Sequence, residues 1–329
     1  TRICAGVPST AGTPNCSAAS TKTRSAPARM AGRTRGSVIR VVVPQPPGGG
    51  FDAVARTMAE PLSQQLGQPV IVENRPGAGT IVGTEAVSKA EPDGYTLLLG
   101  ASANLALNPG LYKSLPYDPK DFRVVGLAAS FSYTLAARSN LPFSSLREIV
   151  EHARANPGKL TYASGGNGTG QHIAAAVTFH SAGVKVTHVP YKGAQAAYQD
   201  LIPGRVDLFF DNSATARPHI QNGRVKAIAV SAPQRIAYHP DVPTVREAGV
   251  DFEMVTWVGY FAHAATPAPV LARLREAFEK AMANPEVPAM LEKRGAFPMR
   301  VGAAQAEALV AGDIEKWTKL IRNAGISAD

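Results

Sequence analysis

The sequence predicts an α/β protein of two doubly wound halves, and three observations carry that reading. From Val38 onward, short β-branched runs alternate with amphipathic stretches, the pattern of largely parallel sheets covered by helices. Two glycine-rich turns, Pro47-Gly48-Gly49-Gly50-Phe51-Asp52 and Ser164-Gly165-Gly166-Asn167-Gly168-Thr169-Gly170, stand where a strand hands over to a helix. A chain of 329 residues also exceeds a typical single core, so two domains are expected.

The elements follow in order. A buried strand over 38–43 leads through the first glycine turn into a helix over 51–66, where Val54, Met58, Leu62 and Leu66 recur at helical spacing. A strand over 69–73, a turn at Arg75-Pro76-Gly77-Ala78-Gly79, a helix over 80–89 and a strand over 95–99 complete a βαβαβ unit. Two strands are expected over 123–127 and 133–137. A helix over 144–155 then starts with a serine hydroxyl as cap. The second half runs as a strand over 160–163, the second glycine turn, a helix over 171–181, a strand over 186–190 and a helix over 194–201. It closes with a strand over 206–210, a helix over 214–221 and a strand over 225–230. Val242-Pro243-Thr244 starts a short helix, 252–262 is the longest late strand, and the rest is helical from Pro267 with a break near 295–299. The tail returns to the first domain. The expected units are 38–137 with 258–329 and 138–257, joined by a two-strand hinge at crossings near 135–139 and 256–261.

Residues 1–37 have no hydrophobic periodicity and are expected to be a disordered arm, a leader remnant or a cloning remnant. Their longest apolar stretch, 3–7, is shorter than the 7 to 15 residues of a secretory h-region. Six of the basic residues behind the net charge of +9 lie in this arm, which has no acid, so the folded part is nearly balanced and a groove for nucleic acid is not expected. Both cysteines, Cys4 and Cys16, also fall there, so cysteine metal ligation, a cysteine nucleophile and disulfides within the domains are excluded. No run approaches the 18 apolar residues of a membrane span.

Each glycine turn reads as an anion cradle, because a helix start has N–H groups without intrahelical partners and glycine lets a ligand approach them closely. The first turn has a sharp competitor. Gly48, Gly50 and Ala53 fit G-x-G-x-x-G/A, with Glu73 about 20 residues on, so an NAD-dependent dehydrogenase is the alternative reading. Against it, Pro44, Pro46 and Pro47 stiffen a loop longer than the tight dinucleotide turn, and Asp52 sets a negative charge where a pyrophosphate would sit. Gly165 and Gly170 have P-loop spacing, but Gln171 and His172 replace the lysine and hydroxyl that hold a nucleoside triphosphate. Ser164, Gly165, Thr169 and Gly170 suit one carboxylate.

The seven histidines form no H-x-x-x-H or H-E-x-x-H pair and no G-x-S-x-G elbow occurs, so neither a metal site nor a catalytic set is expected. His172 reads as a ligand contact or a packing residue, Asp211 as a ligand contact or a helix cap, and Tyr191 with Lys192 as contacts or a solvated loop. Trp257 and Tyr260 read as core. Phe51, a large apolar residue in a glycine loop, needs a packing partner.

Six ordered segments give the chain a family resemblance. They are Pro47 to Asp52, Glu73-Asn74-Arg75-Pro76-Gly77-Ala78-Gly79, Pro92-Asp93-Gly94-Tyr95-Thr96-Leu97, Asn156-Pro157-Gly158-Lys159-Leu160, His188-Val189-Pro190-Tyr191-Lys192-Gly193 and Asp241-Val242-Pro243-Thr244-Val245. Together they resemble the periplasmic solute-binding receptors of tripartite tricarboxylate transport systems, the Bug family, from about Ile39 to Ile326. The resemblance implies a type II periplasmic binding protein, a Venus flytrap, that is monomeric, non-catalytic and without cofactor. It also implies a small organic acid as ligand, permease subunits in the membrane as partners and a periplasmic location. A receptor reporting to a sensor kinase is a further reading. By the same matching, Pro47, Gly48, Gly49, Gly50, Phe51, Asp52, Ser102, Asn104 and Asp211 join the second turn as ligand contacts. In such receptors a small polar residue is commoner at the position of Phe51, which points to an aromatic or otherwise apolar acid, such as terephthalate or another phthalate isomer, over a small polar amino acid.

Overall fold

The computed structural model describes residues 37–237 and 239–327. The expected arm and both cysteines lie outside them, apart from Ser37. The first half opens with β1 (Ile39–Val43), α1 (Gly50–Leu66), β2 (Val70–Asn74), α2 (Ile81–Ser88) and β3 (Thr96–Ala101), in which β1 pairs in parallel with both β2 and β3. A π-type turn, Ser102–Leu107, and the short α3 (Asn108–Leu111) follow, neither of which hydrophobic periodicity foretold. The second half contains α4 (Leu146–Ala155), β5 (Thr161–Ser164), α5 (Gly170–Ser181), β6 (Thr187–Pro190), α6 (Ala194–Leu201), β7 (Leu208–Asn212), α7 (Ser213–Gln221) and β8 (Val225–Val230). Here β5 pairs in parallel with β6 and β7. Capping of α4 is reciprocal, with Ser145 and Glu148 each bonding the other's backbone N–H.

The largest departure is at the crossing. Instead of two strands, residues Phe122–Arg138 form one 17-residue strand, β4. The small residues Gly126, Ala128 and Ala129 interrupt the β-branched pattern without breaking the strand. Gly126 is small because helix α8 (Ala268–Ala283) lies on it: a Cβ there would collide with the Phe278 ring. Up to Ser132, β4 pairs with β9 (Val255–His263); from Tyr133 it pairs with β7, and from Thr134 with β8. The strand therefore changes sheets between Ser132 and Tyr133, ahead of the boundary expected after 137.

Other elements shift less. The strand expected over 206–210 lies two residues later, which puts Asp211 inside it. No helix begins at Val242; Thr244 instead bridges Val230, and Thr244 and Glu247 close a single turn that stops at Gly249, where φ is +92°. Within the expected tail break, β10 (Phe297–Pro298) pairs with β4. Helices α8 and α9 (Glu286–Lys293) pack on α1, while α10 (Ala303–Asn323) packs on α3 and the π-turn, all on the first half. Val54, Met58, Leu62 and Leu66 are buried against this layer, each contributing roughly 1.5–3 kcal/mol by removal from water. Among the described residues, no helix is long and apolar enough to cross a membrane.

Candidate functional site

The first turn exposes Pro47, Gly48, Gly49 and Gly50 at the end of β1. Gly49 stands at the N-cap of α1 and no side chain caps that helix, so its first amides are left to whatever occupies the cleft. Gly48 needs its glycine, having φ of +84°. Asp52 turns inward. It is 4% exposed, its Oδ2 accepts from Gly48 N–H and Arg56 Nε at 2.9 Å, and its Oδ1 accepts from Asn74 Nδ2 at 3.0 Å. Burial raises its pKa, but the hydrogen bonds from Arg56, Gly48 and Asn74 outweigh that and hold the carboxyl below its ordinary value. Asp52 thus braces the loop, and Gly48 N–H, which a pyrophosphate would require, is already engaged. Phe51 finds its packing partner in Phe131 of β4, with ring centroids 5.6 Å apart.

The second turn is tied to the interior more completely. Gly166 N–H donates to Ser164 Oγ at 3.1 Å, Gly168 N–H to His172 Nδ1 at 3.3 Å, and Gly165 N–H to Gln171 Oε1 at 2.9 Å. Thr169 caps α5 by accepting from His172 N–H, and its hydroxyl donates to Gly166 O at 2.8 Å. Behind the loop, Tyr162, His188 and His172 form a stacked column, the two imidazoles 4.1 Å apart and within 10° of parallel. Burial lowers both histidines to about 4, His172 also through repulsion from His188, so both are neutral at pH 7. Ser164 Oγ lies 2.7 Å from His188 Nε2, the spacing of a nucleophile and its base. Ser164 is fully buried, however, and its hydroxyl is also bound within the turn, so the pair braces the loop.

Both helix starts rest on one strand. A Cβ on Gly50 would stand 3.4 Å from the Phe131 ring, and one on Gly170 would collide with the Tyr133 hydroxyl. Phe131 and Tyr133 are alternate residues of β4, on the same face and only about 7 Å apart. The N-termini of α1 and α5 therefore converge on a floor made at the change of sheets. Tyr133 Oη also bonds Thr256 Oγ1 at 3.2 Å, and burial pushes its pKa up to about 12, so it stays neutral. The first turn of α5 contains no acid, whereas that of α1 holds Asp52, so the α5 end offers the stronger field to an anion. At the mouth, a methyl on Gly79 would stand 3.9 Å from the Asn167 carbonyl oxygen, so the two halves meet there.

Besides Asp52, three more residues matched as ligand contacts have inward roles. Ser102 Oγ accepts from Trp257 N–H at 2.9 Å. Asn104 gives both ends of its carboxamide to the chain, accepting from Ala101 N–H and donating to Thr84 Oγ1, each at 2.8 Å. Asp211, 1% exposed, accepts from Gln171 Nε2 at 2.7 Å. Sequence reasoning singled out neither Phe131, Tyr133, Gln171 nor His188 as site residues, although His188 stood in a quoted segment. A tyrosine and a phenylalanine two apart on a strand are the usual pattern of a core face, and nothing local distinguishes a floor from a core.

The chain is similar to known proteins over most of its length. Residues 54–326 match the model of the tripartite tricarboxylate transporter family receptor. The UPF0065 protein in the tcbD-tcbE intergenic region of Pseudomonas sp. strain P51 is 40% identical over 284 residues, 85% of this chain and 84% of that one. Among solved structures, the periplasmic binding protein BugD is 33% identical with a TM-score of 0.77, over 88% of this chain and 98% of its own. R. palustris Rpa4515 with adipate is 30% identical with a TM-score of 0.79, over 88% and 97%. MatC from Rhodopseudomonas palustris with bound malate is 32% identical with a TM-score of 0.78, over 86% and 98%. A two-lobed binding fold, helix starts converging on one floor and a match over most of the folded chain lead to one conclusion: the protein belongs to the tripartite tricarboxylate transporter receptor family, whose members are periplasmic solute-binding proteins.

Proposed function

We propose that this receptor captures a small aromatic acid, a phthalate isomer being the model ligand, and delivers it to the permease subunits of a tripartite tricarboxylate system. Binding is non-catalytic and takes place in the periplasm. The observation that carries the reading is the seating of Gly50 and Gly170 on Phe131 and Tyr133, which aims two helix starts at one small ligand. Adipate and malate in the related structures support a carboxylate, and the Phe51–Phe131 wall beside the α1 start supports a flat apolar body. Charge-assisted hydrogen bonds contribute roughly 1.5–3 kcal/mol each before association costs, which supports micromolar affinity, about −8 kcal/mol.

Calorimetry with terephthalate, benzoate, adipate and malate tests the reading. Saturable binding is expected, tightest for the aromatic acids. Gly170→Ala, which forces a methyl against Tyr133, is expected to weaken every bound acid by about fivefold or more, since overpacking costs about 1–3 kcal/mol. No heat with any acid, or a Gly170→Ala protein of unchanged affinity, would sink it. A receptor relaying occupancy to a sensor kinase would bind the same acids and differ only in its membrane partner.

A further inference from the structure

Asp211 is an unusual residue to bury. It sits on β7 and forms no ion pair among the described residues; its Oδ2 has no hydrogen-bond partner. The groups facing it are uncharged at neutral pH. They are the Gln171 carboxamide from α5, the Tyr198 phenol from α6, the Tyr133 phenol from β4 and, behind Tyr198 at 3.9 Å, the His219 ring from α7. Tyr198 approaches the carboxylate without closing a hydrogen bond, so its hydroxyl is also buried and unpartnered. Burial raises the Asp211 pKa to about 6, against the pull of Gln171, Tyr198 and Asn212 N–H. An amide or an apolar residue would cost less in that place.

What the carboxylate does there is visible one residue further on. An ionised carboxylate only accepts hydrogen bonds, so the Gln171 carboxamide must turn its NH2 to Asp211 and its oxygen outward. That oxygen holds Gly165 N–H, and it stands so close that a Cβ on Gly165 would collide with it. The geometry points to Asp211 as a positioning residue that acts through Gln171 on the second cradle: its negative charge fixes the polarity of the carboxamide, which pins the Ser164–Thr169 loop and leaves the first amides of α5 directed at the cleft. The effect on ligand rests on the acid-receptor reading above; the effect on the loop does not.

Protonation replaces a charge-assisted acceptor by one about half as strong and able to donate, so the pin loosens in acid. The linkage runs the other way for the fold. An acid whose folded pKa lies above its unfolded value stabilises the fold below about pH 4 and loses that contribution as pH rises through about 6. Asp211→Asn is therefore expected to raise Tm at pH 7.5 and leave it unchanged at pH 4, while weakening ligand binding at pH 7.5 about fivefold, the difference between a charged and a neutral acceptor.

The test has two arms. In ligand-free protein, the Gly165 amide resonance is followed by NMR from pH 5.5 to 7.5, above the range in which the His172–His188 column beneath the loop takes up protons. It is expected to titrate in the natural sequence and to stay still in Asp211→Asn and in Gln171→Leu, which keeps the charge but cuts the link. In the ligand arm, affinity for terephthalate is compared at pH 7.5 and 5.0; the loss on acidification is expected to be larger in the natural protein than in Asp211→Asn, the ligand's own titration cancelling in the comparison. A Gly165 resonance that ignores pH, or titrates equally in Asp211→Asn, overturns the proposal. Titration of Gly165 in a protein that binds no acid upholds the relay and defeats only the acid-receptor reading.

Discussion

Phe51 and Asp52 are neighbours in the chain with opposite orientations. Phe51 packs against Phe131 and is half-buried; in the function proposed above it flanks the aromatic acid. Replacing it with Thr is expected to weaken aromatic acids by about 1 kcal/mol more than aliphatic ones, the scale of a ring–ring contact beyond area burial; equal losses in parallel calorimetry would refute the stacking role. Asp52 instead accepts from Gly48 of its own loop, Arg56 of α1 and Asn74 of β2. Asp52→Ala removes the carboxylate that Gly48, Arg56 and Asn74 share and is expected to lower stability by about 1–3 kcal/mol in urea unfolding, with ligand affinity falling as the loop loses its brace. Both glycine turns were legible because only glycine permits such backbone and approach. The inward turn of Asp52 was not, since an acid in the first turn of a helix can face its own loop or the ligand with the same spacing.

At the scale of elements, the second turn and its backing column act as one unit. Tyr162 comes from β5, His188 from β6 and His172 from α5, so the stack ties three elements together beneath the loop. A histidine whose folded pKa is depressed contributes stability that is complete above its unfolded pKa of 6.5 and is lost as pH falls through about 4. Protection of the 165–172 amides, read as exchange corrected for its intrinsic pH dependence, is therefore expected to fall between pH 6.5 and 4 in the natural protein, and less so in His188→Gln; an equal fall would remove the column as the cause. Strand and helix alternation was readable because its period follows from the backbone. The joining of two expected strands into β4 was not, because Gly126, Ala128 and Ala129 look like a break until Phe278 is seen to lie on Gly126.

For the whole molecule, β4 is the member that both sheets share, and it carries the floor on which both helix starts rest. The two-half plan was legible from the repeated strand–turn–helix order, but the exact crossing depended on pairing partners more than a hundred positions apart, such as Ser132 with Val255. The meeting of Gly79 with Asn167 at the mouth bears on how fast the receptor works. A molecule that shuts over its contents cannot fill by collision alone. In stopped-flow mixing, the observed rate is expected to climb with acid concentration and then level off at the speed of opening, because encounter ceases to be the slow step. A rate that keeps rising linearly to millimolar acid would mean that the entrance stands open most of the time.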